Sequence, residues 1–175
     1  LIPLLLFLPP FISGSVAVDT VTEELERGTM ELLRVAPVSL LDIIDGKALG
    51  MVLLAPAQAL LWLALLSTNG IAVSNPAAIL LFITAVTVVV VTLGVVLGIT
   101  LQNRRPAQLL FSVLTLVLFG GAVVLPEHPA TTVAKLAVDS PTLLTYGHVG
   151  GAVLLAVAGY AVARLYIGRV AAESL

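Results

Sequence analysis

Glu23-Glu24-Leu25-Glu26-Arg27-Gly28-Thr29-Met30-Glu31-Leu32-Leu33-Arg34-Val35-Ala36-Pro37-Val38-Ser39 is a polar stretch set between long apolar segments, and Asp45-Gly46-Lys47 follows it closely. Its charge is concentrated where the rest of the chain has almost none. Of the 175 residues 59% are hydrophobic and 10% charged, and the mean hydropathy is +1.16. Soluble domains carry about 25% charge, so the composition defines an integral membrane protein. The polar stretch is then where such a chain can meet water or a soluble partner. With no cysteine, a disulfide framework and thiolate metal sites are excluded.

Working outward from that stretch, a bilayer core of about 30 Å needs about 20 apolar helical residues. Five segments meet or approach this length: 1–18, 46–67, 77–101, 109–125 and 147–167. Each is expected to be helical, because only a helix satisfies its own backbone groups in lipid. The Val- and Thr-rich run 87–92 has strand propensity, which the length of its segment overrides. The chain opens on Leu1 inside an apolar run, which reads as a fragment whose beginning is missing. A signal peptide ending near 13–17 is the rival, disfavoured because no basic residue precedes the run and Pro3, Pro9 and Pro10 interrupt it. The fold expected is all-α and polytopic, a single membrane domain over 1–175 with about five spans present.

Loop chemistry sets the orientation. Arg27, Arg34, Lys47, Arg104, Arg105, Arg164 and Arg169 fall on one side under strict alternation, and Lys135 alone falls on the other. The positive-inside rule makes the first side cytoplasmic. The external loop 126–146 is broken by Pro126-Glu127-His128-Pro129 and again by Asp139-Ser140-Pro141. The piece between, 130–138, is too short to cross, and is expected to dip into the membrane or lie on its surface.

Within the cytoplasmic segment 19–38, Val18, Val21 and Leu25 form one apolar stripe at helical spacing. Glu23 and Arg27 can pair at i, i+4. Gly28 suits a helix end, and Thr29 the cap of a new helix. Glu31 falls in its first turn, where the dipole favours an anion. Leu32 and Leu33 give it an apolar side, Pro37 stops it, and Ser39 with Asp42 reads as a fresh cap. An amphipathic helix resting on lipid is the bland alternative. Seven acids against two arginines between Asp19 and Asp45 argue against it, because anionic headgroups repel such a segment. A protein partner with a basic or mixed groove fits better.

The positions Glu24, Glu26, Arg27, Gly28, Thr29, Glu31, Leu33, Pro37, Val38, Ser39, Gly46 and Lys47 resemble the permease subunit of type-2 ATP-binding-cassette (ABC) transporters. The resemblance covers the whole chain in layout. It implies six spans in a full chain, of which spans two to six are seen here, a cytoplasmic coupling helix after the second, and re-entrant helices before the last. It further implies pairing with a second permease copy and with ATP-binding cassette subunits, in a cell membrane, more in keeping with export. The residues expected to couple to the ATPase are Glu23, Glu24, Glu26, Arg27, Gly28, Thr29, Glu31, Leu32, Leu33 and Pro37. The coupling helix and the C-terminus would both be cytoplasmic.

Asp45-Gly46-Lys47-Ala48 has neither the spacing nor the hydroxyl of a phosphate-binding loop. ATP hydrolysis is therefore expected on another polypeptide, with no catalytic residue and no cofactor on this one. A membrane scaffold that recruits a cytoplasmic partner without transporting anything is the rival from another class. Glu127 and His128 are two neighbouring ligand types and do not make a metal site. No basic patch with interleaved aromatics points to nucleic acid. Gly94-x-x-x-Gly98 and Gly46-x-x-x-Gly50 suit close helix packing within the chain. Pro56 beside Gln58 suits a bend, and Asn75-Pro76-Ala77 a helix start. Arg104-Arg105-Pro106 reads as the anchor of a tight cytoplasmic turn, and Arg164, Tyr166 and Arg169 as anchors of the last span at the interface. The span interiors hold almost no ionisable group, which suits an amphipathic cargo better than an ion.

Overall fold

The computed structural model describes residues 2–27 and 40–173, with side chains over 8–27 and 41–170. The chain forms α1 (Ile2–Glu26), α2 (Leu40–Thr68), α3 (Pro76–Leu101), α4 (Arg104–Gly121), a 3-10 turn (Ala122–Val124), α5 (Pro129–Ala137) and α6 (Leu143–Glu173). No strand occurs among the described residues. By length and composition α2, α3, α4 with its 3-10 extension, and α6 can each cross a membrane. α1 stands beside them as a further helix of 25 residues. Pro9 and Pro10 lie inside α1 and Pro56 inside α2, and the helices continue through all three.

α3 is the hub. Half of its most hydrophobic window is buried, against about a fifth or less for the other three candidate spans. α1, α2, α4 and α6 all pack against it. Threonines within it bond back along the helix. Thr84 and Thr87 donate to the carbonyls of Leu80 and Ile83 at 2.7 and 2.6 Å, each a bond back by one turn.

The α1–α3 seam depends on missing side chains. A Cβ added to Gly94 would lie 2.5 Å from the Gly14 carbonyl oxygen, and one on Gly98 would lie 2.9 Å from Val21 Cγ1. A Cβ on Gly14 would meet Val90 and Phe111. Backbones approach this closely only where glycine faces them, so the spacing at Gly94 and Gly98 does serve packing within the chain. Gly46 and Gly50 differ: nothing lies within 4 Å of where their Cβ atoms would be. The expected close packing is absent there.

Polar contacts order the two ends of the bundle. The finish of α1, the start of α2, the finish of α3, the start of α4 and the finish of α6 meet at one end, called here the connector end. Glu24–Lys47, Asp19–Arg104 and Asp45–Arg164 join these helices, and Thr100 pairs with Tyr166 at 3.1 Å. The long helices therefore alternate in direction along the chain.

At the far end α5 does not lie free on a surface. Val133 and Leu136 are fully buried among Ala55, Ala59, Ile79, Phe82, Ile83 and Val149. Ile83 is seven residues into α3 from Pro76, about 10 Å along the helix. Asn75 also does more than start α3. Its side-chain amide donates to the Leu136 carbonyl at 3.0 Å, and the Ser74 N–H donates to the Ala137 carbonyl at 3.1 Å. Together they satisfy two carbonyls that the end of a helix leaves without partners. Between the outer parts of α3, α4 and α6 lies an apolar groove of about 800 Å³, lined by residues including Phe82, Leu118, Gly121, Leu144, Gly147 and His148.

Candidate coupling site

α1 runs on past its apolar half because Val18, Val21 and Leu25 keep a helical stripe against the core. Ala17 and Val21 sit in a buried cluster with Ile44, Met51, Val91, Val95, Ile99 and Ile167, and Leu25 packs on its edge. This carries the acids of the last two turns to the connector end, where three of them face different neighbours. Glu23 pairs with Arg27 at 2.6 Å, both largely exposed. Glu24 turns inward to Lys47 at the start of α2, with about a fifth of its side chain exposed. Glu26 accepts the backbone N–H of Arg104 at 3.1 Å, so an acid from α1 serves an orphan donor at the N-terminus of α4. Arg27 occupies the turn that ends α1.

Of the residues expected to couple, Glu23, Glu24, Glu26 and Arg27 are therefore brought to one end of the bundle. Gly28, Thr29, Glu31, Leu32, Leu33 and Pro37 lie outside the described residues, as does Ser39. Lys47 is drawn into the same cluster through Glu24.

The centre of the cluster is a set that sequence reasoning passed over. Arg104, read as a turn anchor, forks onto Asp19: Nε donates to Oδ1 at 2.7 Å and Nη2 to Oδ2 at 2.9 Å. Gln108 adds its amide, donating to Asp19 Oδ1 at 2.8 Å and to the Ser15 carbonyl at 2.9 Å. Ser15 and Asp19 are four apart on α1, and Arg104 and Gln108 are four apart on α4, so each pair shares a helix face.

A signal for this existed. Asn103 caps α4, accepting the Arg105 N–H at 3.2 Å, which places Arg104 in the first helical turn. A cation there opposes the dipole and calls for an acid from elsewhere. Asp19 lies just beyond the apolar run 1–18. Its hydrogen bond from Arg104 holds its carboxyl below the usual carboxylate range; burial opposes this, while the Gln108 bond and the arginine charge add to it.

The remaining candidates resolve structurally. His128 caps α5, its Nδ1 accepting the Ala130 N–H at 3.1 Å. Glu127 is almost wholly buried and pairs with Lys135 at 2.9 Å, while the Thr145 hydroxyl donates to the same carboxylate at 3.1 Å. Among the described residues no three potential ligands gather for a metal. Arg164 reaches Asp45 at 3.1 Å and Tyr166 reaches Thr100, so both tie helices together.

A bundle of long apolar helices, packed on a central span and with most of its charges at one end, defines a polytopic α-helical membrane protein. The sequence model of the family described as ABC-2 family transporter protein matches residues 1–139, and the chain belongs to that family. Comparison with curated proteins and with solved structures returns no match. Membership makes the chain a membrane transport subunit of the ABC-2 type. The permease resemblance carried by the stretch after α1 agrees with it.

Proposed function

We propose that this chain is the permease of an ATP-driven exporter, working with a second permease copy and with separate ATP-binding cassette subunits that hydrolyse the nucleotide. The connector end faces the cytoplasm in this reading, as the excess of Lys and Arg there favours, and the membrane is the cell membrane. Residues 19–38 form the connector and coupling helix, and 126–146 an external re-entrant loop. Glu23, Glu24, Glu26, Arg27, Gly28, Thr29, Glu31, Leu32, Leu33 and Pro37 receive the partner. No cofactor is bound by this chain.

The single observation behind the coupling role is the tethering of the acidic end of α1 to two other spans. Glu24 meets α2 at Lys47, and Asp19 and Glu26 meet α4 at Arg104. A push on the segment after Arg27 would reach three spans through direct contacts, which is what transmission between sites requires. The well-packed α5, with Asn75 and Ser74 at its end, supports a fixed closure on the opposite side.

The test is charge reversal. Glu26→Lys combined with Glu31→Lys should leave membrane insertion intact while cutting transport-linked ATP turnover in the reconstituted complex. Unchanged transport in the double variant would count against the coupling role. Cargo accumulating inside inverted vesicles on ATP addition would support export. A complex that binds the ATPase but moves nothing would favour the scaffold reading.

A further inference from the structure

α1 and α4 are joined from Phe11 to Glu26 on one and from Arg104 to Phe111 on the other, more thoroughly than the anchor of a turn needs. At the connector end Arg104 meets both oxygens of Asp19, Gln108 meets Asp19 and the Ser15 carbonyl, and the Arg104 N–H meets Glu26. One turn further in, Phe111 is fully buried. It fills the space over Gly14, where a Cβ would lie 2.6 Å from its ring, and it sits 5.7 Å from the Phe11 ring, centroid to centroid. From Phe11 to Glu26 is about 22 Å of helix, fastened by rings at one end, by a two-pronged ion pair near its middle and by the Glu26 bond to the Arg104 N–H at the other end. Both oxygens of the carboxylate are engaged, the geometry that distinguishes an orienting pair from an ordinary surface contact.

We propose that α1 and α4 move as one body, and that Asp19, Arg104 and Gln108 are positioning residues that pass a displacement of α1 to α4. The proposal rests on the coupling role proposed above and deepens it: the force that arrives beyond Arg27 is delivered first to the α1–α4 pair. Rigid-body rotation of packed elements is an established way for a small local shift to become a large one. The polar set fixes the register of α4 on α1, and the aromatic packing keeps the antiparallel pair aligned as it tilts.

Two measurements test this, and the chain's lack of cysteine makes each introduced thiol unique. In the first, the permease alone in lipid nanodiscs carries spin labels at Val16→Cys and Leu116→Cys, both exposed positions. A narrow inter-spin distance distribution is expected. Arg104→Gln should broaden it, and Asp19→Arg combined with Arg104→Asp should narrow it again. An unchanged distribution in Arg104→Gln would overturn the proposal.

In the second, the permease is assembled with its ATP-binding partner, and Ile12→Cys and Ser112→Cys, exposed positions outside the polar set, are joined by a short bifunctional thiol reagent. Bridging should leave permease-dependent ATP turnover intact. In the Arg104→Gln background turnover should fall about fivefold or more, and bridging should restore it. If bridging stops turnover, α1 and α4 must separate during the cycle and the rigid pair is wrong. If no ATP-binding protein associates even with the parent chain, the coupling reading itself fails, while the nanodisc distances still decide whether the two helices form a unit.

Discussion

The two ends of the bundle both hold ion pairs, but they hold them differently. At the connector end the pairs run between separate long helices and remain in partial contact with solvent: the side chains of Asp19 and Arg104 are 33% and 60% exposed. At the far end Glu127 is 1% exposed, in the short loop between the 3-10 turn and α5. Its carboxylate is served by Lys135 on α5 and Thr145 on α6. Solvent-screened pairs contribute little to stability. A buried charge stripped of its partner is expensive. The far end is thus the costlier of the two to open, while the connector pairs orient their helices and add little to overall stability.

The largest expected effect lies between the two ends, on the seam that joins them. Gly94→Val places a branched side chain against the Gly14 backbone, and should cost about 3 kcal/mol by forcing α1 off α3. The loss would appear as a collapse of thermal stability in detergent, at both ends together. Glu127→Ala should come next, at about 1–3 kcal/mol, because Lys135 loses its partner and the Thr145 hydroxyl its acceptor. A smaller loss than that of Asp19→Asn would reverse the contrast drawn here.

Acid titration sharpens the comparison further. Burial pushes the Glu127 carboxyl up, but hydrogen bonds from Lys135, Thr145 and Thr132 and the Lys135 charge outweigh it and hold the group below its ordinary value. Asp19 is likewise depressed. A depressed carboxylate adds stability that is complete above its unfolded value, about 4, and is lost as pH falls through the lower folded value. Stability should therefore drop only under acid conditions below about pH 4. Glu127→Gln should flatten that drop more than Asp19→Asn, since its pair is less screened. The smallest effect belongs to Arg27→Ala, which removes an exposed i, i+4 pair worth about 0.3–0.5 kcal/mol. High salt should erase even this difference in melting temperature.

Much of the fold was legible because lipid leaves few choices. Segment length alone identified the spans, and Val18, Val21 and Leu25 foretold that α1 continues to the acids. Boundaries were less clear where polar residues enter a helix. The fourth span was expected to begin near 109, yet α4 starts at Arg104, with Pro106 in its first turn and Asn103 as its cap. The candidate site was legible in part. Glu23 with Arg27 follows from helical spacing, whereas Asp19 and Arg104 lie 85 positions apart, and nothing local reveals which acid an arginine will meet. Glu127 was read as a loop residue beside a histidine, because burial is a property of the packed bundle and not of the tetrapeptide around it. Gly46 and Gly50 show the converse, since a spacing that permits close approach does not create a neighbour.

The turn between α3 and α4 has a mechanical consequence. It contains only Gln102 and Asn103, with Gln102 in a left-handed conformation at φ 51°. A strap of two residues cannot lengthen, so the hub and its successor cannot slide past one another like pistons. Their relative freedom is angular, and any working stroke of this hairpin has to be a swing about that short pivot.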